Sequence, residues 1–238
     1  MQSRKIILNK SKKTYVNPSI EMVVEHIVRN NEGVLGLNGA AMVDTGIFTG
    51  RSPKDKYFVE ENFSKDNLWW GPVNRKIDLD VFDKLYTKVI EYYNNDVGNT
   101  YIFNGFGGAD KKHRLAVRVY AKKAWQHHFC RNMFINPDAD ELDDFSPDFT
   151  IINASDIIND EFENDGMNSE VFIIFNLEEK IAIIGGTEYG GEMKKGIFSV
   201  LHYILPLKGV LSMHCSANVD NNFDNTALFF GLSGTGKT

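Results

Sequence analysis

The feature that most constrains this chain is its last octapeptide, Gly231-Leu232-Ser233-Gly234-Thr235-Gly236-Lys237-Thr238. The spacing G-x-x-x-x-G-K-[ST] turns backbone N–H groups inward, where they can cradle phosphate oxygens. Lys237 would neutralise charge on β- and γ-phosphates, and the Thr238 hydroxyl would sit on Mg²⁺. Such a loop needs a strand before it and a helix after it. Thr226–Phe230 supplies an apolar β-like run upstream, and no residues for the helix follow.

The remainder must therefore be a mixed structure, and composition allows one. Hydrophobic residues make up 42% and charged residues 24%, which excludes a largely disordered or fibrous chain. A net charge of −6 argues against a mainly electrostatic nucleic-acid binder. Two cysteines, Cys130 and Cys215, cannot form a disulfide framework and fit a reducing compartment. No apolar run reaches the roughly 18 residues of a membrane span, and the basic start has no apolar signal core.

Ser19 is suited to cap a helix running to about Asn30 and ended by Gly33. Residues 34–43 read as strand and turn, and residues 44–56 as loop. An amphipathic helix is expected over 80–94, short strands at 101–103 and 115–120, and a flexible glycine turn at 105–108. Residues 122–129 read as helix. Ile151-Ile152 opens a strand, and 153–168 reads as a solvated acidic loop. Residues 171–176, Ile181–Gly185 and the surroundings of Phe229-Phe230 are β-like. A helix is expected over 197–205, stopped by Pro206. The fold class is α/β, or α+β, with a mixed sheet.

Four further places could carry chemistry. In Gly50-Arg51-Ser52-Pro53-Lys54-Asp55-Lys56, Arg51 could grip a carboxylate or phosphate with two hydrogen bonds. Composition alone favours a solvated charged turn there. After the apolar run that ends at Gly185, glycines surround Tyr189, and Lys194-Lys195 open a helix. A neutral amine there could act as base or metal ligand; two exposed lysines fit equally well. In Met213-His214-Cys215-Ser216-Ala217-Asn218, His214 could ligate a metal, although a hydrogen-bonded core histidine is the favoured reading, and Cys215 reads as a small buried filler. His127 and His128 point about 100° apart on a helix and would not chelate one ion.

Taken together and in order, these segments resemble one family. Residues 50–56, 185–195, Leu205-Pro206-Leu207-Lys208-Gly209, 213–218 and 231–238 are similar to the N-terminal part of the ATP-dependent phosphoenolpyruvate carboxykinases. Trp69-Trp70-Gly71-Pro72-Val73-Asn74 and Pro147-Asp148-Phe149-Thr150 share the likeness, which runs from about residue 17 to the end. It implies a lyase of gluconeogenesis in the cytosol, turning oxaloacetate and ATP into phosphoenolpyruvate, ADP and CO₂ with Mn²⁺ and Mg²⁺.

The resemblance reverses three of the readings above. It implies that Arg51 binds the substrate carboxylate and Tyr189 lines the substrate and CO₂ side. Lys195 and His214 would ligate Mn²⁺ and stand close to both substrate and ATP. Gly231, Leu232, Ser233, Gly234, Thr235, Gly236, Lys237 and Thr238 would hold ATP, with Thr238 on Mg²⁺. Arg51, Lys195, His214 and Lys237 would be catalytic. It also implies a carboxykinase N-terminal domain over 1–209 and the first strands of the nucleotide-binding domain over 210–238. Partners would be small molecules, with no nucleic acid and no membrane; the oligomeric state is not readable.

Family members are much longer, so the chain is expected to be a fragment with little activity alone, exposing Leu228, Phe229 and Phe230. Two alternatives stand beside this. Another phosphate-loop kinase leaves Arg51, Lys195 and His214 unexplained. A non-catalytic remnant would bind dicarboxylates or other anions only.

Overall fold

A computed structural model describes residues 4, 6, 13–95, 98–231 and 235–236. The chain divides into two compact units, Met1–Phe198 and Ser199–Thr238.

In the first unit, β1 (Lys13–Val16) leads to α1 (Ile20–Arg29). The Ser19 hydroxyl caps α1 by accepting the Met22 N–H at 3.3 Å. The expected terminator, Gly33, is not used. Asn31 takes the left-handed position at φ 56°, and Gly33 instead opens β2 (Gly33–Leu35), paired with β3 (Ala41–Val43). There follow β4 (Lys56–Val59), β5 (Arg75–Ile77), α2 (Leu79–Asn95), β6 (Asn99–Gly107) and β7 (Leu115–Ala121). Then come α3 (Ala124–Met133), β8 (Phe149–Ala154), β9 (Phe172–Asn176), β10 (Ile181–Gly185) and α4 (Gly191–Leu207).

Eight strands form one sheet in the order β1-β6-β7-β8-β10-β9-β4-β5. It is mixed: β7, β8 and β10 run parallel, whereas β6 against β7 and β9 against β10 are antiparallel. The expected mixed sheet is thus present. Every residue of β8, β9 and β10 is buried, because helices cover both faces. On one face α2 packs Phe82, Leu85, Val89 and Tyr93 against Ile152, Ile174 and Ile183. On the other, α1 and α3 pack Val23, Ile27 and Trp125 around Tyr101. The start of α4 lies on that second face: a Cβ on Gly196 would meet the Phe175 ring at 3.0 Å and Ile151 at 3.9 Å. Ile151 and Ile152 point to opposite faces, as adjacent strand residues must.

Several expectations need correction. Residues 105–107 are not a flexible turn but the end of a nine-residue β6. Gly105 is there because a Cβ would lie 2.7 Å from the Ile135 carbonyl oxygen and 2.3 Å from the Phe103 ring. Lys56 starts β4, which lies between β9 and β5, so the loop reading over 44–56 runs one residue too far. The polar stretch 153–168 begins inside β8 and folds back on the core, burying Asn159 and Met167. The fourth helix starts six residues before the expected 197, and Pro206 lies within its last turn.

In the second unit β11 (Cys215–Val219) and β12 (Thr226–Phe230) form an antiparallel hairpin. Leu228, Phe229 and Phe230 are exposed, and Cys215 is half-buried rather than buried. Among the described residues no helix is long and apolar enough to cross a membrane.

Candidate active site

Strands β7 and β10 run parallel to β8, so both leave the sheet at the same edge, and each leads into a helix there, α3 and α4. The carboxyl edge of parallel strands is where open α/β sheets place ligands. The connection from β10 to α4 is pinned at three points. Tyr189 N–H donates to Thr187 Oγ1 at 3.1 Å. Lys123, at the start of α3, meets Glu188 at 2.5 Å. A Cβ on Gly191 would strike the Tyr189 ring at 2.3 Å, so only glycine lets the helix start this close to the tyrosine.

The Arg51 loop approaches the same edge. Asp55, buried at the loop's far end, accepts from Asn168 Nδ2 and Ser169 Oγ, both at 2.9 Å. Ser52 N–H donates to Glu192 Oε1 at 2.6 Å, joining the loop to the first turn of α4. Burial pushes the Glu192 carboxyl above its usual range, with the Ser52 hydrogen bond and the charges of Arg51 and Lys56 opposing it. Burial pushes the Lys56 amine down, and the Arg51 charge adds to that.

Between these segments lies a cavity of about 410 Å³. Its walls are Val43 and Thr45 beside β3, Trp125, Phe129 and Met133 of α3, and Tyr189, Gly190 and Gly191. Arg51, Lys194 and Lys195 complete it, and none of the described lining residues is acidic. Lys195 Nζ stands 4.1 Å from the centroid of the Phe198 ring. Three cations around a partly aromatic cavity suit a small anion with more than one negative charge.

A family profile described as phosphoenolpyruvate carboxykinase matches residues 12–238. The chain belongs to the ATP-dependent phosphoenolpyruvate carboxykinase family. It is 56% identical over 229 residues to the phosphoenolpyruvate carboxykinase (ATP) of Leptospira biflexa, covering 96% of this chain and 43% of that protein. To the Campylobacter lari enzyme of the same name it is 54% identical, covering 93% of this chain and 42% of that protein. To that of Campylobacter jejuni it is 52% identical, covering 97% and 44% respectively. The chain thus spans less than half the length of these carboxykinases.

Of the positions that the carboxykinase resemblance singles out, Arg51, Tyr189 and Lys195 line the one cavity. His214 lies in the second unit, immediately before β11. Cys215 pairs with Phe230, so His214 and Gly231 leave the β11–β12 ladder at the same end. Gly231, Thr235 and Gly236 are described; Leu232, Ser233, Gly234, Lys237 and Thr238 lie outside the described residues. The carboxykinase motifs did not point to Trp125, Phe129 and Met133, although they recur every fourth residue and so form one stripe on α3. His127, between them in sequence, faces the core: both ring nitrogens lack a hydrogen-bond partner among the described residues. Burial, helped by the Arg131 and His128 charges, brings it down to about 3.

Proposed function

We propose that this chain supplies the substrate side of an ATP-dependent phosphoenolpyruvate carboxykinase and binds oxaloacetate in the cavity of the first unit. The observation that carries this reading is the grouping of Arg51, Lys194 and Lys195 around about 410 Å³ with no acidic lining residue. Oxaloacetate brings two carboxylates. Arg51 takes one through paired hydrogen bonds. Lys194 faces the negative charge that grows on the keto oxygen as CO₂ departs beside Tyr189. Trp125, Phe129 and Met133 keep water out, which strengthens each charged contact.

The enolate oxygen then attacks the γ-phosphorus of ATP, one O–P bond forming as the bond to ADP breaks. The protein's part in that step is positioning and charge neutralisation. On this reading Gly231, Leu232, Ser233, Gly234, Thr235 and Gly236 cradle the phosphates, Lys237 neutralises them, and Thr238 meets Mg²⁺. When the ion is bound, Lys195 as a neutral amine and His214 would hold Mn²⁺; without the ion Lys195 is one of the cavity's cations. Their donor types fit such an ion, since two nitrogens suit a transition metal better than Mg²⁺, which takes oxygen. Among the described residues no group of three or more His, Cys, Asp or Glu could hold a metal. When bound, the ion supplies positive charge beside the developing enolate. A gluconeogenic role in the cytosol goes with this reading, and two cysteines, too few for a disulfide framework, fit a reducing compartment.

Isothermal titration of the 238-residue chain with oxaloacetate, without metal, tests the cavity. Saturable binding of one molecule per chain is expected, and its absence overturns the reading. In the protein that carries this chain, Lys195→Ala should weaken Mn²⁺ binding by about tenfold or more. An unchanged Mn²⁺ titration removes Lys195 from the metal shell.

A further inference from the structure

Glu192 is a charged group placed where its side chain cannot meet the substrate. Its neighbours Gly191, Lys194 and Lys195 line the cavity and it does not. It is 5% exposed, and its carboxylate is turned to the Arg51 loop, accepting the Ser52 N–H at 2.6 Å from a residue 140 positions away. Burying a carboxylate is costly unless hydrogen bonds and opposite charges compensate. Here the compensation comes from Ser52, from the charges of Arg51 and Lys56, and from the positive end of α4.

The loop is held at its other end as well, by Asp55 on Asn168 and Ser169. Arg51 lies outside the stretch between the two anchors, directly beside the Ser52 end. With the Asp55 anchor alone, Gly50 and Arg51 would be free to swing about Pro53. With both, the peptide that precedes Ser52 is fixed against the same helix turn that presents Lys194 and Lys195. One carboxylate thereby sets the spacing between the guanidinium on the loop and the amines on the helix.

We infer that Glu192 is a positioning residue: through the Ser52 N–H it holds the Arg51 loop against the helix turn that carries Lys194 and Lys195, so that all three line one cavity. This rests on the oxaloacetate reading of the cavity. Misplacing a binding group by about 1 Å can cost up to about a hundredfold. Glu192→Ala should therefore weaken oxaloacetate binding by about ten- to a hundredfold, while Glu192→Gln, which keeps an acceptor for Ser52, should restore most of it.

The deciding experiment is a double-mutant cycle read by calorimetry, with hydrogen exchange at the Ser52 amide measured in parallel. If Glu192 acts through Arg51, the double variant Glu192→Ala, Arg51→Ala binds no worse than Arg51→Ala alone. Fully additive losses, no rescue by Glu192→Gln, or a Ser52 amide equally protected in Glu192→Ala would each overturn the positioning role. Failure of the unaltered chain to bind oxaloacetate overturns instead the reading of the cavity, and the carboxylate-binding role of Arg51 with it. Should Glu192→Ala not fold, the Glu192→Gln titration and its Ser52 exchange decide alone: oxaloacetate binding and protection close to those of the unaltered chain are expected, and loss of either overturns the proposal.

Discussion

Two cavities of the first unit differ in the charge of their lining, and the larger of the two is the one that carries acids. The larger, about 680 Å³, is lined by Arg4, Arg118 and Lys180 but also by Asp148, Glu178 and Glu179. Its guanidinium groups are already engaged. Arg4 meets Asp83 at 2.6 Å and Glu179 at 2.5 Å. Arg118 donates to Asn104 Oδ1 at 2.7 Å and to the Phe145 carbonyl at 3.1 Å. An anion entering there has to break existing pairs, and breaking a partly buried pair costs more than a new one returns. The smaller cavity holds three cations and no acid. The proposed anion site rests on the charge of its lining at the carboxyl edge of the sheet rather than on volume.

The largest effect that can break this comparison is at Arg51. Arg51→Ala should reduce oxaloacetate affinity about a hundredfold, or about 2.7 kcal/mol, since each tenfold is about 1.4 kcal/mol. Calorimetry at fixed ionic strength measures it. Affinity within a factor of about three of the unaltered chain would leave the smaller cavity without its main argument.

Next in size is an effect on stability that affects any acid titration of binding. α3 carries cavity residues on one stripe and His127 on another, its ring 5.9 Å from that of Phe103. The folded chain keeps His127 neutral down to about pH 3, whereas the unfolded chain protonates it near 6.5. The folded pKa is the lower one, so stability is intact above 6.5 and falls as pH drops from there towards 3. The loss is about 1.4 kcal/mol per pH unit, or about 2 kcal/mol by pH 5. His127→Phe, compared by urea unfolding at pH 7 and pH 5, should remove that part of the loss. An equal loss in both proteins would place the acid sensitivity elsewhere, among them in the cavity's own groups.

The two sides of the cavity were legible to different degrees. Arg51, Tyr189 and Lys195 were singled out by the family resemblance of the motifs around them; local composition alone favoured a solvated turn at Arg51 and left Lys195 undecided. Trp125, Phe129 and Met133 did not, because an apolar stripe at helical spacing looks the same whether it faces a core or a cavity. In the fold, buried apolar runs such as Ile181–Gly185 and capped helices such as Ile20–Arg29 were readable from local chemistry. Gly105 misled because its reason is non-local: the Ile135 carbonyl, thirty residues on, occupies the space a side chain needs. Glu192 was illegible for the same cause, its partner Ser52 being 140 residues away.

A smaller effect should follow from loosening the cavity's rim. Lys123 and Glu188 bridge the starts of α3 and α4 at 2.5 Å, with side chains 23% and 29% exposed. Pairs of this exposure are worth up to about 1 kcal/mol. Lys123→Ala should therefore weaken oxaloacetate binding by about two- to fivefold in calorimetry, through the turn that carries Tyr189. A loss as large as that of Arg51→Ala would mean that the rim, rather than the trio of cations, governs capture.

The smallest expected effect is the sharpest test of charge against volume. Arg118 lies on the wall of the larger cavity, with its Nε on Asn104 and a terminal nitrogen on Phe145. Arg118→Gln removes the charge while keeping a donor for one of these acceptors, so the fold has little reason to change. If the dicarboxylate binds in the smaller cavity, its affinity should change by less than about twofold, the size of a distant charge screened by salt. If Arg118→Gln weakens binding as strongly as Arg51→Ala, the ligand sits in the larger cavity.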